Sequence, residues 1–212
     1  MVPLENLLAF ALAAIVIIVI PGPGVLFVIG RSLALGRLGG LLSVVGGVLG
    51  QIPLVLAVAF GLGAVVAQSE VLFTVVKVAG AGYLVFLGVQ AIRHRKRSTR
   101  AAAGGIPPRS HGRQLLEGFV VGVTNPKTIA FFVAVLPQFV DPAAGWIPLQ
   151  MLELGLVFLV FALVSDAAWA LLAGAARGWF ARSPKRIETL SATGGGMIIG
   201  LGGALLFTGS AG

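Results

Sequence analysis

The chain has 212 residues, of which 58% are hydrophobic and only 10% charged, and its mean hydropathy is +1.04. A soluble domain carries about 25% charged residues, so the composition excludes one and points to an all-α polytopic membrane protein. The net charge of +8 would suit nucleic acid, but the basic residues lie in short connections between apolar runs and form no basic face. They set orientation in a lipid bilayer instead, and no nucleic-acid partner is expected.

A helix needs about 20 apolar residues to cross the hydrocarbon. Six runs qualify, at 4–29, 39–66, 71–92, 114–136, 148–174 and 189–208. The first has no basic leader and no small-residue cleavage site at the usual distance, so it is expected to be a retained span and not a signal peptide.

Runs one and four are interrupted, by Pro21-Gly22-Pro23-Gly24 and by Asn125-Pro126-Lys127. Proline removes a backbone donor and clashes with the carbonyl one turn back, leaving peptide groups that lipid does not satisfy. Such breaks persist where protein buries them or where they line a wet cavity. Pro21 and Pro126 lie 105 residues apart, about one half-length of the chain. Matched breaks in two halves of a membrane chain point to a transporter's binding site.

Lys and Arg fall on alternate connections. Arg31 and Arg37 follow the first run, Arg93 to Arg113 fill the central connection, and Arg177 to Arg186 follow the fifth; together these are 13 of the 15 basic residues. The other connections carry Glu70 and Asp141 and no Lys or Arg. The positive-inside rule therefore puts the basic loops in the cytoplasm and both termini outside. Three spans per half is an odd number, so the halves run in opposite directions. The expected architecture is six transmembrane helices in two inverted three-helix repeats with helices 1 and 4 broken: residues 1–92, a basic linker at 93–113, and residues 114–212. Small-xxx-small pairs such as Gly46/Gly50 and Gly118/Gly122 allow close helix packing within the chain or across a homodimer.

An ionisable group inside a span is expensive and is a functional candidate by default. Asp166, in the fifth run, and Lys127, at the second break, carry opposite charge and are the natural pair. A static salt bridge is the plainer role for them; a carboxyl at that depth is also a candidate for proton exchange. Gln51 and Tyr83 either line the same cavity or serve as packing groups. Glu117 and Glu153 fall near run ends, where solvation is cheap. The chain has no cysteine, and His94 and His111 lie in the wet central loop without ligand spacing, so no metal or other cofactor is expected. Neither His-Glu-x-x-His nor Gly-x-Ser-x-Gly occurs, which argues against an enzyme.

Pro21-Gly22-Pro23-Gly24, then Arg31-Ser32-Leu33-Ala34-Leu35-Gly36-Arg37 and Gly46-Gly47-Val48-Leu49-Gly50, closely resemble the first third of the LysE/RhtB family of bacterial amino-acid exporters. Lys77 to Leu84 with Leu87-Gly88 resembles its third span; Asn125-Pro126-Lys127, Phe131-Phe132 and Leu136 to Val140 resemble its fourth. The resemblance implies export of amino acids or related small zwitterions across the cytoplasmic membrane, driven by proton exchange. It makes Pro21, Gly22, Pro23, Gly24, Asn125, Pro126 and Lys127 the two matched breaks around one site, where half-helix amides can hold a substrate carboxylate and freed carbonyls with Asp166 an ammonium. Gln51 stands where many members carry an aspartate. A channel, or an exporter of another small solute or hard cation, is the alternative that the breaks alone leave open.

The absence of cysteine makes the orientation directly testable. Single cysteines at Gln68, Ser98 and Ala143 should react with an impermeant thiol reagent from outside, inside and outside respectively; labelling of position 98 from outside would reverse the topology.

Overall fold

The computed structural model describes residues 1–62, 70–93 and 110–176, with single positions between 179 and 203. Among the described residues the regular structure is helical throughout, with no strand. Helix α1, Leu4–Val19, is apolar on every side: Phe10, Ala14, Ile17 and Ile18 are buried, while Leu8, Leu12, Ile15 and Val19 face outward. A helix apolar all round has no side suited to water, which fits lipid contact on the outward face. It stops where Ile20 turns to extended backbone (ψ 119°), immediately before Pro21.

Helix α2 comprises Pro23–Ala57, with proline in its first turn, where a missing N–H removes no helical bond. It is not one rod. Gly36 has φ 79° and ψ −177°, a conformation open to glycine and strained for other residues. Val28 and Val44 share one buried cluster, although a straight helix would hold them about 24 Å apart. A Cβ on Gly40 would likewise fall on the Ser32 hydroxyl. The chain therefore doubles back at Gly36 into two arms, 23–35 and 37–57. The first arm runs beyond the limit of 29 expected from the apolar pattern, because helix geometry persists through Arg31 up to the glycine.

A π-helical turn, Val58–Leu62, ends the second arm. Helix α3 spans Glu70–Arg93, α4 His111–Val123, α5 Pro126–Ala134 and α6 Ile147–Ala175; short 3-10 turns at Leu136–Phe139 and Pro142–Ala144 lead into α6. Among the described residues, two stretches are long and apolar enough to cross a membrane, Pro23–Gly61, which the reversal at Gly36 divides, and Ile147–Ala175. A third is added if the pair His111–Val123 and Pro126–Phe139, bent by 43°, is one span. The expected sixth run, 189–208, and the linker stretch 94–109 lie largely or wholly outside the described residues.

Two packing systems hold these helices. An aromatic core joins α1, α5 and α6: Phe131 lies 5.9 Å from Phe10 and 5.3 Å from Phe158 between ring centroids, and Phe132 meets Phe158 edge-on at 4.8 Å. The second system is backbone against backbone. A Cβ on Gly46 or Gly50 would strike the carbonyls of Leu115 or Phe119 on α4, and one on Gly118 or Gly122 would strike those of Ser43 or Gly47 on α2. Both small-residue pairs are thus used within the chain.

Arg31, grouped by sequence with the loop cations, is a correction. It lies inside the first arm of α2, only 6% exposed, and forms an ion pair with Glu117 of α4. Glu117 is accordingly held by a buried partner and is not simply solvated at a helix end.

The glycine interface predicts a contrast. Gly50→Ala pushes a methyl into the Phe119 backbone, which has no side chain to move aside, and should lower stability by roughly 1–3 kcal/mol. Gly112→Ala, in open space in the first turn of α4, should be neutral or slightly stabilising. Thermal unfolding in detergent compares them, and equal loss in both would remove the close-approach argument.

Candidate functional site

The two proline breaks meet. In an unbroken helix the Ile17 carbonyl would accept from the N–H of residue 21, but that residue is proline and has none. The Ile20 carbonyl loses its own helical donor because the chain turns out of the helix there. Both are served from the other half of the chain: Lys127 Nζ donates to the Ile17 carbonyl at 2.9 Å and to the Ile20 carbonyl at 2.8 Å. An ammonium at the C-terminal end of α1 also meets the negative end of the helix dipole. Charge-assisted hydrogen bonds contribute about 1.5–3 kcal/mol each, and Lys127, 6% exposed, has little water to compete with them.

The glycines at the first break make this approach possible. A Cβ on Gly22 would lie 3.1–3.2 Å from the end of the Lys127 side chain, and one on Gly24 would lie 2.9 Å from Asn125 Nδ2. Asn125 caps α5, its Oδ1 accepting from the Lys127 N–H at 3.2 Å. Pro126 follows in the first turn of α5 as Pro23 does in α2. The structural counterpart of Pro126 is therefore Pro23, two residues out of the register that Pro21 suggests. Gly22, at the cap of α2, provides no side chain, so the first amides of α2 open toward the break uncapped. Such amides attract anions.

Asp166 continues the buried stripe of α6 that runs through Leu154, Phe158 and Ala162 to Ala170. It is half-buried. The expected direct pair does not form: Lys127 is bonded to the two carbonyls. Gln51, in the second arm of α2, is 5% exposed and its Oε1 has no hydrogen-bond partner. Tyr83 stands apart, exposed on α3 and stacked on Phe86 with 6.0 Å between centroids. Pro21, Gly22, Pro23, Gly24, Asn125, Pro126 and Lys127 are thus brought together. Among the described residues no group of three or more His, Asp or Glu is placed to hold a metal.

Sequence reasoning missed the two carbonyls of Ile17 and Ile20. The signal was present, since a proline four residues after Ile17 removes that carbonyl's donor. It also missed the ion cluster of Arg31, Glu117 and Arg113, in which Arg113 Nε donates to Glu117 Oε1 at 3.2 Å.

The model of the LysE type translocator matches residues 15–209, nearly the whole chain. The chain belongs to the LysE type translocator family. Relatives include an uncharacterized membrane protein of Vibrio cholerae, 35% identical over 92% of this chain and 93% of its own. A homoserine/homoserine lactone efflux protein of Salmonella typhimurium is 32% identical over 93% of this chain and 94% of its own. A leucine efflux protein of Salmonella choleraesuis is 33% identical over 66% of this chain and 65% of its own. No solved structure matches the chain. The family and the names of these relatives indicate a transporter.

Within this LysE-type fold the Arg31–Glu117 contact yields a stability prediction. The Arg31 side chain is 8% exposed and Arg113 65%. Glu117→Ala leaves a buried guanidinium without its carboxylate and should cost roughly 3–5 kcal/mol. Arg113→Ala removes only an exposed partner and should cost at most about 1 kcal/mol. Denaturation of the purified variants measures both, and similar losses would show that burial of Arg31 does not set the energy.

Proposed function

We propose that the chain is a secondary transporter that exports amino acids or related small zwitterions across the cytoplasmic membrane, by proton antiport and alternating access. The observation that carries this reading is the contact of Lys127 with the Ile17 and Ile20 carbonyls, which joins the two breaks into one polar spot amid apolar helices. Family membership and the efflux proteins among the relatives support export.

In this reading the six spans form two inverted three-helix repeats, 1–92 and 114–212, joined by the basic linker 93–113. The termini lie outside. The substrate carboxylate is received by the uncapped amides of α2 and by Lys127, and its ammonium by freed carbonyls near Asp166. Gln51, whose buried Oε1 has no partner, completes the lining; Tyr83, exposed on α3, does not. Asp166 takes up and releases the coupling proton, because it is an acid set within the long apolar helix α6, in line with its buried stripe. Rocking of one half against the other exposes the site to each side in turn.

Efflux of leucine and homoserine from proteoliposomes, with and without a pH gradient, tests this directly. Flux should saturate and rise with the gradient. Asp166→Asn should abolish export or make it insensitive to the gradient while the protein still inserts. Lys127→Ala, Pro126→Ala and Pro21→Ala should reduce flux of the same substrate. Wild-type flux and gradient dependence in Asp166→Asn would reduce that residue to packing. Flux that never saturates would indicate a channel.

A further inference from the structure

Lys127 has an occupation that export of zwitterions does not explain. It does not wait in a cavity for a carboxylate: its ammonium is already bonded to the two carbonyls that Pro21 and the turn at Ile20 leave without donors. Those carbonyls form an acceptor pair shaped for an –NH3+ head, and the α-ammonium of an amino acid presents the same head with three donors.

We propose that the Ile17 and Ile20 carbonyls are the subsite for the substrate's ammonium and that Lys127 is a tethered stand-in for it, drawn off by the substrate's carboxylate. This rests on the reading of the chain as a zwitterion exporter and adds an exchange step to it. When a zwitterion arrives, its carboxylate offers Lys127 a charged acceptor in place of two neutral ones, and such bonds are roughly twice as strong. The substrate ammonium then takes the vacated carbonyls, so no buried polar group is left bare. With no substrate the site closes on its own lysine and the two halves stay joined.

The exchange explains why both charges of the substrate matter. An amine without a carboxylate brings a second cation beside Lys127 and offers it no new partner. A carboxylic acid without an amine draws Lys127 away and leaves two buried carbonyls unsatisfied. Gly22 belongs to the same device, since its missing Cβ makes room for the Lys127 side chain to reach the carbonyls.

The test uses purified full-length protein and three probes: leucine, homoserine, and 3-methylbutylamine, which is leucine without its carboxylate. The wild-type chain should bind an amino acid at least tenfold more tightly than the amine. Lys127→Met vacates the carbonyls and removes the competing charge. Its affinity for 3-methylbutylamine should rise by roughly 10–100-fold, the worth of one charge-assisted hydrogen bond, while its affinity for the amino acids falls. This gain of amine binding is not an effect of general damage. If Lys127→Met does not fold, Lys127→Gln carries the same comparison, because it also removes the charge. Folded variants that bind the amine no better than the wild type would overturn the stand-in role. So would a wild-type chain that binds the amine as tightly as the amino acid, a result that needs no variant. Failure of the wild type to bind either amino acid would count against the substrate class, while a gain of amine binding in Lys127→Met would still report on the carbonyl subsite.

Discussion

Lys127 supplies the donor that Pro21 takes away, and through that contact the first half of the chain closes on the second. Apolar surroundings make this a strict requirement, because lipid offers nothing to a carbonyl left open at the end of a helix. A soluble protein would hand the same carbonyls to water. Here they are reached only if α5 starts beside the end of α1, if the lysine lies in the first turn of α5, and if the chain it passes has no Cβ. Gly22 meets the last condition. Asn125 meets the second by capping α5 so that Pro126 and Lys127 enter it in order.

The two packing systems follow from the same requirement. Phe10, Phe131 and Phe158 bind α1, α5 and α6 into one core, and Phe131 lies one turn from Lys127 on α5, so the ring that anchors the helix also aims the ammonium. Gly46, Gly50, Gly118 and Gly122 bring the second arm of α2 and α4 to backbone contact. Each system joins a helix from the first half of the chain to one from the second. Large side chains fill the first interface, and glycines set the approach at the second. The Arg31–Glu117 ion pair adds a charged tie across the same division.

Much of this was legible in the sequence. Prolines within apolar runs located both breaks, because the missing N–H is a property of the residue and needs no tertiary context. The paired glycines indicated close helices, and the structure shows that both pairs lie within the chain. The partner of Lys127 was not legible in the same way. Opposite charge favoured Asp166, yet backbone carbonyls are invisible to an argument that counts only side chains, and these carbonyls are the direct acceptors. Arg31 was misread for a related reason: position between two runs suggested a loop, but helix geometry continues to Gly36 and carries Arg31 into the protein, where Glu117 meets it. The reversal at Gly36 depends on one positive φ that glycine permits without demanding.

The choice of neutral acceptors for Lys127 bears on how such a site can work. A lysine bonded directly to Asp166 would form a buried pair, and removing either partner would strand a charge at a cost of roughly 3–5 kcal/mol. Carbonyls carry no net charge, so one ammonium can replace another on them without altering the charge of the site. Because Lys127 does not bond Asp166, the carboxylate oxygens are left to other donors. The arrangement holds the halves together through bonds that a ligand of the right shape can remake, whereas a direct ion pair would hold them through a bond that the ligand must first break.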